Sequence, residues 1–219
     1  MFSTIYQVIC TAFSVIVILA NIISAKMVRL PLFDLSVPAG VIIYPITFLL
    51  SALVTEVFGA QKARFMVYMA FVMSILSIGI IQLALLLPAN GSEEQGMFQT
   101  VMGRCDLRIF SSLIAYLVAQ LIEIQLFSLI KRWTGAPLLW LRNNGSATLA
   151  QLIDTIVVDL IFLYWGMGMS FYQVLPVITI SFLYKIVFSV ANTPLLYLGI
   201  FCLGRQRSRI NLSEKSPSF

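Results

Sequence analysis

Four charged residues lie inside runs otherwise apolar enough to cross a bilayer: Glu123, Asp154, Asp159 and Lys185. A charge at the centre of a membrane helix costs about 2.5–3.5 kcal/mol on insertion scales, so each needs a partner, water or a ligand. Their neighbours at helical spacing are polar or aromatic too. Tyr116, Gln120, Glu123 and Phe127 fall at i, i+4, i+7 and i+11, which is one helix face. Gln151, Asp154 and Thr155 share a second face, and Ser181, Lys185, Ser189 and Asn192 a third. Asn21 lies near the end of the first apolar run, while Thr47, Ser51, Thr55 and Glu56 mark the next. Unpaired charges are hard to sustain against lipid, so the stripes are expected to face the bundle interior and line one polar cavity. Carboxylates accept hydrogen bonds, an ammonium donates them, and amides do both, which is the chemistry of holding a small polar molecule. One carboxylate can neutralise Lys185; the remaining acids need protons, water or a ligand rich in donors.

A structural reading competes at each position. Glu56 precedes "FGAQKAR" and has Lys62 or Arg64 as natural partners at the membrane surface. Asp159 lies five residues after Asp154 and therefore points about 140° away from it. Gln120, Thr155, Ser181 and Ser189 can serve as interhelical hydrogen bonds, worth about 0.6 kcal/mol each. Glu123, Asp154 and Lys185 can form a structural ion network. Three polar faces on three successive helices outweigh any one of these residues taken singly.

The elements that position these faces follow from hydropathy. The 219 residues are 60% hydrophobic and only 11% charged, with mean hydropathy +0.97. Soluble domains run at roughly 45–50% apolar and about 25% charged, so this is an all-α integral membrane protein. A spanning helix needs about 20 mostly apolar residues. Six such stretches are present, at 4–26, 38–58, 62–88, 107–131, 148–169 and 173–204, the last long enough to tilt or to break near Pro194. "MFSTIYQ" has no basic residue, and the apolar stretch after it exceeds a signal-peptide core, so the first run is expected to be a retained helix. Residues 1–204 thus form a single six-helix domain and 205–219 a polar tail without structure of its own.

Between the helices, "MVRLPLFDLSV" (27–37) alternates and reads as a short extended hairpin. "FGAQKARF" (58–65) is a tight turn, 88–105 the longest polar loop, and 131–146 a basic loop anchored by Trp133 and Trp140. With six spans, both termini share a side with Lys62, Arg64, Lys131, Arg132, Arg142, Arg205, Arg207, Arg209 and Lys215. The opposite side holds only Lys26, Arg29, Arg104 and Arg108. The bias puts both termini in the cytoplasm of an inner, plasma membrane. The net charge of +5 is explained by this orientation rather than by nucleic-acid binding. The absence of histidine and the scatter of Cys10, Cys105 and Cys202 argue against a metal site or a disulfide framework.

Several of these stretches carry a resemblance when taken in order. They are "AN" ending at Asn21, "YPITFLLSALVTEVFGAQKAR" (44–64), "RIFSSLIAYLVAQLIEIQLF" (108–127), "LRNNGSATLAQLIDT" (141–155) and "YKIVFSVANTPLLY" (184–197). Together the chain resembles the queuosine precursor transporter family, also called vitamin uptake transporters. The resemblance implies six transmembrane helices, similar to the substrate-binding subunits of energy-coupling-factor transporters. It also implies import of 7-deazaguanines (queuine, preQ1 or preQ0) for tRNA modification, without catalysis. Asn21, Glu56, Tyr116, Gln120, Glu123, Gln151, Asp154, Lys185 and Asn192 are then the candidate substrate-binding residues. This chain departs from the resembled pattern where Ser51-Ala52 stands in place of the Thr-Asp pair of many relatives, where Ala63-Arg64 reduces a basic pair, and where Glu123 replaces the Asp of some relatives.

No cofactor is implied. The partners are a purine-like small molecule and membrane lipid; nucleic acid is not bound directly, and both a homo-oligomer and an external energising module stay open. No GxxxxGK[ST] loop is present, so the chain does not hydrolyse ATP by that route. The alternative reading is a vitamin-binding membrane subunit of an ATP-driven importer. A lipid-modifying enzyme would need a nucleophile or metal set that the residues do not supply, and a scaffold would not explain buried acids.

Overall fold

Long runs of Leu, Ile, Val and Phe form helices here, and they are interrupted where glycine, proline or charge gathers. The computed structural model describes residues 2–24, 26–30, 35–88, 96, 99, 102, 106–134 and 138–214. Among them are six long helices: α1 (Phe2–Ile23), α2 (Gly40–Phe58), α3 (Ala60–Leu85), α4 (Asp106–Thr134), α5 (Leu139–Asp159) and α6 (Phe171–Glu214). Strands β1 (Met27–Leu30) and β2 (Leu35–Pro38) pair antiparallel between α1 and α2, Met27 opposite Pro38 and Leu30 opposite Leu35. This is the hairpin the alternation predicts. Five helices are long and apolar enough to cross a membrane, and α2 adds a shorter apolar helix over Ile42–Phe58. The protein is a multi-pass, all-helical membrane protein.

Two glycines set the breaks. Gly59 alone separates α2 from α3, with φ 93° and ψ 159°, a region that only glycine occupies without strain. After α5 the helix widens into a π-helical segment, Leu160–Gly166. Met167 N–H donates to Phe162 O at 3.0 Å, and Gly168 then turns the chain at φ 66°.

Contacts at one end of the bundle order the helices. Tyr6 OH donates to Lys62 O at 2.9 Å. Glu56 meets Lys131 and Arg142, and Thr193 Oγ1 donates to Asn144 Oδ1 at 3.1 Å. The start of α1, the α2–α3 turn, the end of α4, the start of α5 and the later half of α6 therefore share one end. The β-hairpin lies at the other, where Ala39 N–H donates to Lys26 O at 2.8 Å. There Gly40 passes so close to Ser24 and Ala20 O that a Cβ would collide with both.

The interior is built from Phe13 and Val17 of α1, Phe48 and Val54 of α2, Met66 and Val67 of α3, and Tyr116 and Ile124 of α4. Buried alanines at 20, 63, 70, 119 and 150 let the helices approach. A second cluster, with Ala52, Leu53, Phe127, Leu139 and Leu196, ties α2 to α4, α5 and α6.

Three expectations need correction. The basic loop expected over 131–146 is shorter, because α5 starts at Leu139 rather than near 148. Arg142 and Asn143 are buried against the bundle, which holds that turn in the helix. The last helix does not break at Pro194; it runs through both Pro176 and Pro194. It also continues to Glu214, so the expected unstructured tail is helical backbone to that point. The loop expected over 88–105 falls almost wholly outside the described residues.

Candidate functional site

α2 carries a polar stripe at i, i+3, i+7 and i+11: Tyr44, Thr47, Ser51 and Thr55. All four are buried. The stripe faces α4 and α5, and it joins the polar faces of three other helices into a hydrogen-bonded chain. At one limit of this chain, Lys185 of α6 is only 6% exposed. Its Nζ donates to Asp154 Oδ2 at 2.7 Å and to Thr155 Oγ1 at 2.9 Å. The Thr155 hydroxyl spends its own proton on Gln151 O at 2.8 Å, so its oxygen is free to accept. Tyr44 OH donates to the second oxygen of Asp154 at 3.3 Å. Lys185 Nζ also stands 5.6 Å from the centre of the Tyr44 ring, within cation–π range. The Asp154–Lys185 pair is thus compensated in charge and in hydrogen bonds, as a buried pair must be.

The chain continues through the backbone of α2. Thr47 Oγ1 donates to Tyr44 O at 2.7 Å and accepts from Gln120 Nε2 at 3.0 Å. One turn on, Ser51 Oγ donates to Glu123 Oε2. Here the compensation stops. Glu123 is fully buried, and its Oε1 has no partner among the described residues. Gln120 Oε1 and both polar atoms of Gln151 are likewise buried and unpartnered. Buried polar atoms are nearly always satisfied, so such a group of exceptions calls for water or a ligand.

Aromatic surfaces flank the polar atoms. Tyr116 and Phe127, on the same face of α4 as Glu123, are fully buried. Tyr116 lies 6.3 Å from Phe13, and on α6 the Tyr184 and Phe188 rings are 4.7 Å apart.

Of the residues singled out by sequence, the structure brings Gln120, Glu123, Gln151, Asp154 and Lys185 into the α2–α4–α5–α6 interface. Tyr116 is buried beside α3, its OH donating to Val67 O at 3.4 Å. Asn21 accepts from Ser112 Oγ at 2.9 Å, between α1 and the start of α4. Asn192 and Asp159 are half-buried. Glu56 stands apart, at the end of the bundle. Its partners are Lys131 and Arg142, each at 3.0 Å, rather than Lys62 or Arg64. Arg142 also lies 5.8 Å from the centre of the Phe127 ring.

The sequence pattern of the family described as "Putative vitamin uptake transporter" matches residues 38–199, which carry every residue of this buried chain. The protein belongs to that family. As a member of the vitamin uptake transporters it is 30% identical, over 141 residues, to a Bacillus subtilis (strain 168) protein named "Probable queuosine precursor transporter". The match covers 63% of this chain and 60% of that relative's length. No solved structure matches the chain.

Sequence reasoning took Thr47 and Ser51 only as marks of a polar helix and did not single out Tyr44 as a ligand. The signal was available in the spacing, since Tyr44 heads a stripe that continues through Thr47 and Ser51. A tyrosine beside Pro45 reads as an interface residue until a carboxylate is found beside its hydroxyl.

Proposed function

We propose that this vitamin uptake transporter imports queuosine precursors, the 7-deazaguanines queuine, preQ1 or preQ0, across the inner membrane for tRNA modification. The observation that carries the reading is the uncompensated acceptor Glu123 Oε1, buried beside unpartnered amides in an interface whose other carboxylate is already paired.

A 7-deazaguanine presents two N–H donors on its guanine edge and one carbonyl. Acceptor oxygens match the two donors. Asp154 is engaged by Lys185 and Tyr44, so Glu123 Oε1, with the unpartnered Gln120 Oε1 one turn away on α4, takes that edge. The Gln151 amide, free at both atoms, supplies a donor to the carbonyl. Flat rings stack on aromatic side chains, and Tyr116 and Phe127 lie on the Glu123 face of α4. The amine of preQ1 or queuine suits a site whose acids outnumber its one lysine. Transport needs the bound substrate to shift the balance between two access states, and the Asp154–Lys185 pair is the element that can be reshuffled. The Lys and Arg bias supports an orientation with both termini in the cytoplasm, and no chemical step is assigned to the chain.

The test is a cell unable to make its own precursors, given this chain and fed preQ0, preQ1 and queuine separately at low concentration. Queuosine in tRNA is expected with at least one of them. No gain with any, at normal membrane levels, overturns the reading in favour of a vitamin substrate. Repeating the uptake in a host without an energy-coupling ATPase separates a self-sufficient transporter from a binding subunit.

A further inference from the structure

We propose that Thr47 and Ser51 of α2 are positioning residues that turn Gln120 and Glu123 into a fixed pair of hydrogen-bond acceptors, making the site selective for a base that carries an amino group. The inference rests on the proposed 7-deazaguanine site and names what that site demands of its ligand.

A threonine or serine hydroxyl has one proton to give. Thr47 gives its proton to Tyr44 O at 2.7 Å, so toward Gln120 the hydroxyl can only accept. This fixes the orientation of the carboxamide: Nε2 faces Thr47 at 3.0 Å, and Oε1 is left buried without a partner. Ser51 gives its proton to Glu123 Oε2, which anchors that carboxylate and leaves Oε1 unpartnered. Gln120 and Glu123 are three residues apart on α4, so the two free oxygens belong to adjacent side chains on one helix face. Without Thr47 the amide could turn over and present either atom. With it, the pair presents oxygens only.

A ligand must therefore bring donors to both points. A guanine-type edge does so with its ring N–H and its 2-amino group. A hypoxanthine-type edge lacks the amino group and leaves one buried acceptor empty. An unmade buried hydrogen bond of this kind corresponds to about 10- to 100-fold in affinity.

The experiment measures binding of preQ1 and of its 2-desamino analogue to the purified full chain, for the wild type, Thr47→Val and Thr47→Ser. The wild type is expected to favour preQ1 by about 10- to 100-fold. Thr47→Val preserves the shape but frees the amide, and it is expected to reduce the preference at least about threefold, mainly through tighter binding of the analogue. Thr47→Ser restores the hydroxyl and is expected to keep the wild-type ratio. If Thr47→Val does not reach the membrane, Thr47→Ala removes the same hydroxyl and replaces it in the comparison. A wild type that binds both compounds equally, or a hydroxyl-free variant that keeps the full ratio, overturns the inference and leaves the proposed function standing. A wild type that binds neither compound overturns the inference; if it binds neither queuine nor preQ0 as well, the proposed function falls with it.

Discussion

Two acidic clusters in this molecule look alike on a list of residues and behave differently in space. At the end of the bundle Glu56 meets two cations, Lys131 and Arg142, at 3.0 Å each. In the middle Glu123 meets no cation among the described residues and is held by a serine. Glu56 is partly open, while Glu123 is fully buried. The ordinary rule would put the better-compensated acid in the more costly place. The reversal identifies the end cluster as a clamp between α2, α4 and α5, and the middle as the place where compensation has been withheld. Beyond Glu123, beside Tyr44 and further from the end cluster, lies Asp154, nearly as deeply buried but fully partnered.

The sharpest way to break the comparison is Lys185→Met. It leaves Asp154 buried without its cation, and removing one partner of a buried pair costs about 3–5 kcal/mol. A large fall in thermal midpoint in detergent is expected, with partial recovery in the double variant Lys185→Met, Asp154→Asn. If the single variant melts with the wild type, Asp154 is not an internal counter-ion.

Glu123→Gln should act oppositely. No cation depends on Glu123, so the protein should fold at normal levels. Substrate should bind about 10- to 100-fold more weakly, the range for losing a hydrogen bond to a charged group. Normal uptake by this variant would reduce the middle cluster to a structural network.

Tyr44→Phe removes one hydrogen bond from Asp154 and keeps the ring. A loss of about 0.5–1.5 kcal/mol in stability is expected, measured against the same melt. Lys131→Met is the smallest change. Its side chain is 41% exposed and Arg142 still holds Glu56, so the effect should stay below about 1 kcal/mol. A larger loss there than for Lys185→Met would invert the ranking of the two clusters.

The helices and the polar face of α4 were legible because both depend on local spacing. Tyr116, Gln120, Glu123 and Phe127 are read from periodicity, and all four are fully or nearly fully buried. The start of α5 was not legible. "LRNNG" (141–145) has the composition of a loop, and only a carboxylate 86 residues earlier makes Arg142 at home in a helix. The partner of Glu56 was misjudged for the same reason: Lys62 and Arg64 are near in sequence, whereas Lys131 and Arg142 are near in space. The π-helical segment at Leu160–Gly166 has no periodic signature, since a single widened turn only shifts the phase of an apolar run. Which lone pair of which side chain is left empty depends on hydroxyl protons committed across helices, and no pattern of residue types reports that.

The single-residue link at Gly59 bears on how the chain enters a bilayer. A short helix with an acid in its last turn is a poor candidate for insertion alone. With one residue between them, α2 has no slack to wait outside while its longer, apolar neighbour partitions, so the two are threaded as one hairpin. Biogenesis of the stripe that organises the site is thereby tied to a helix that contributes none of the hydrogen bonds within it.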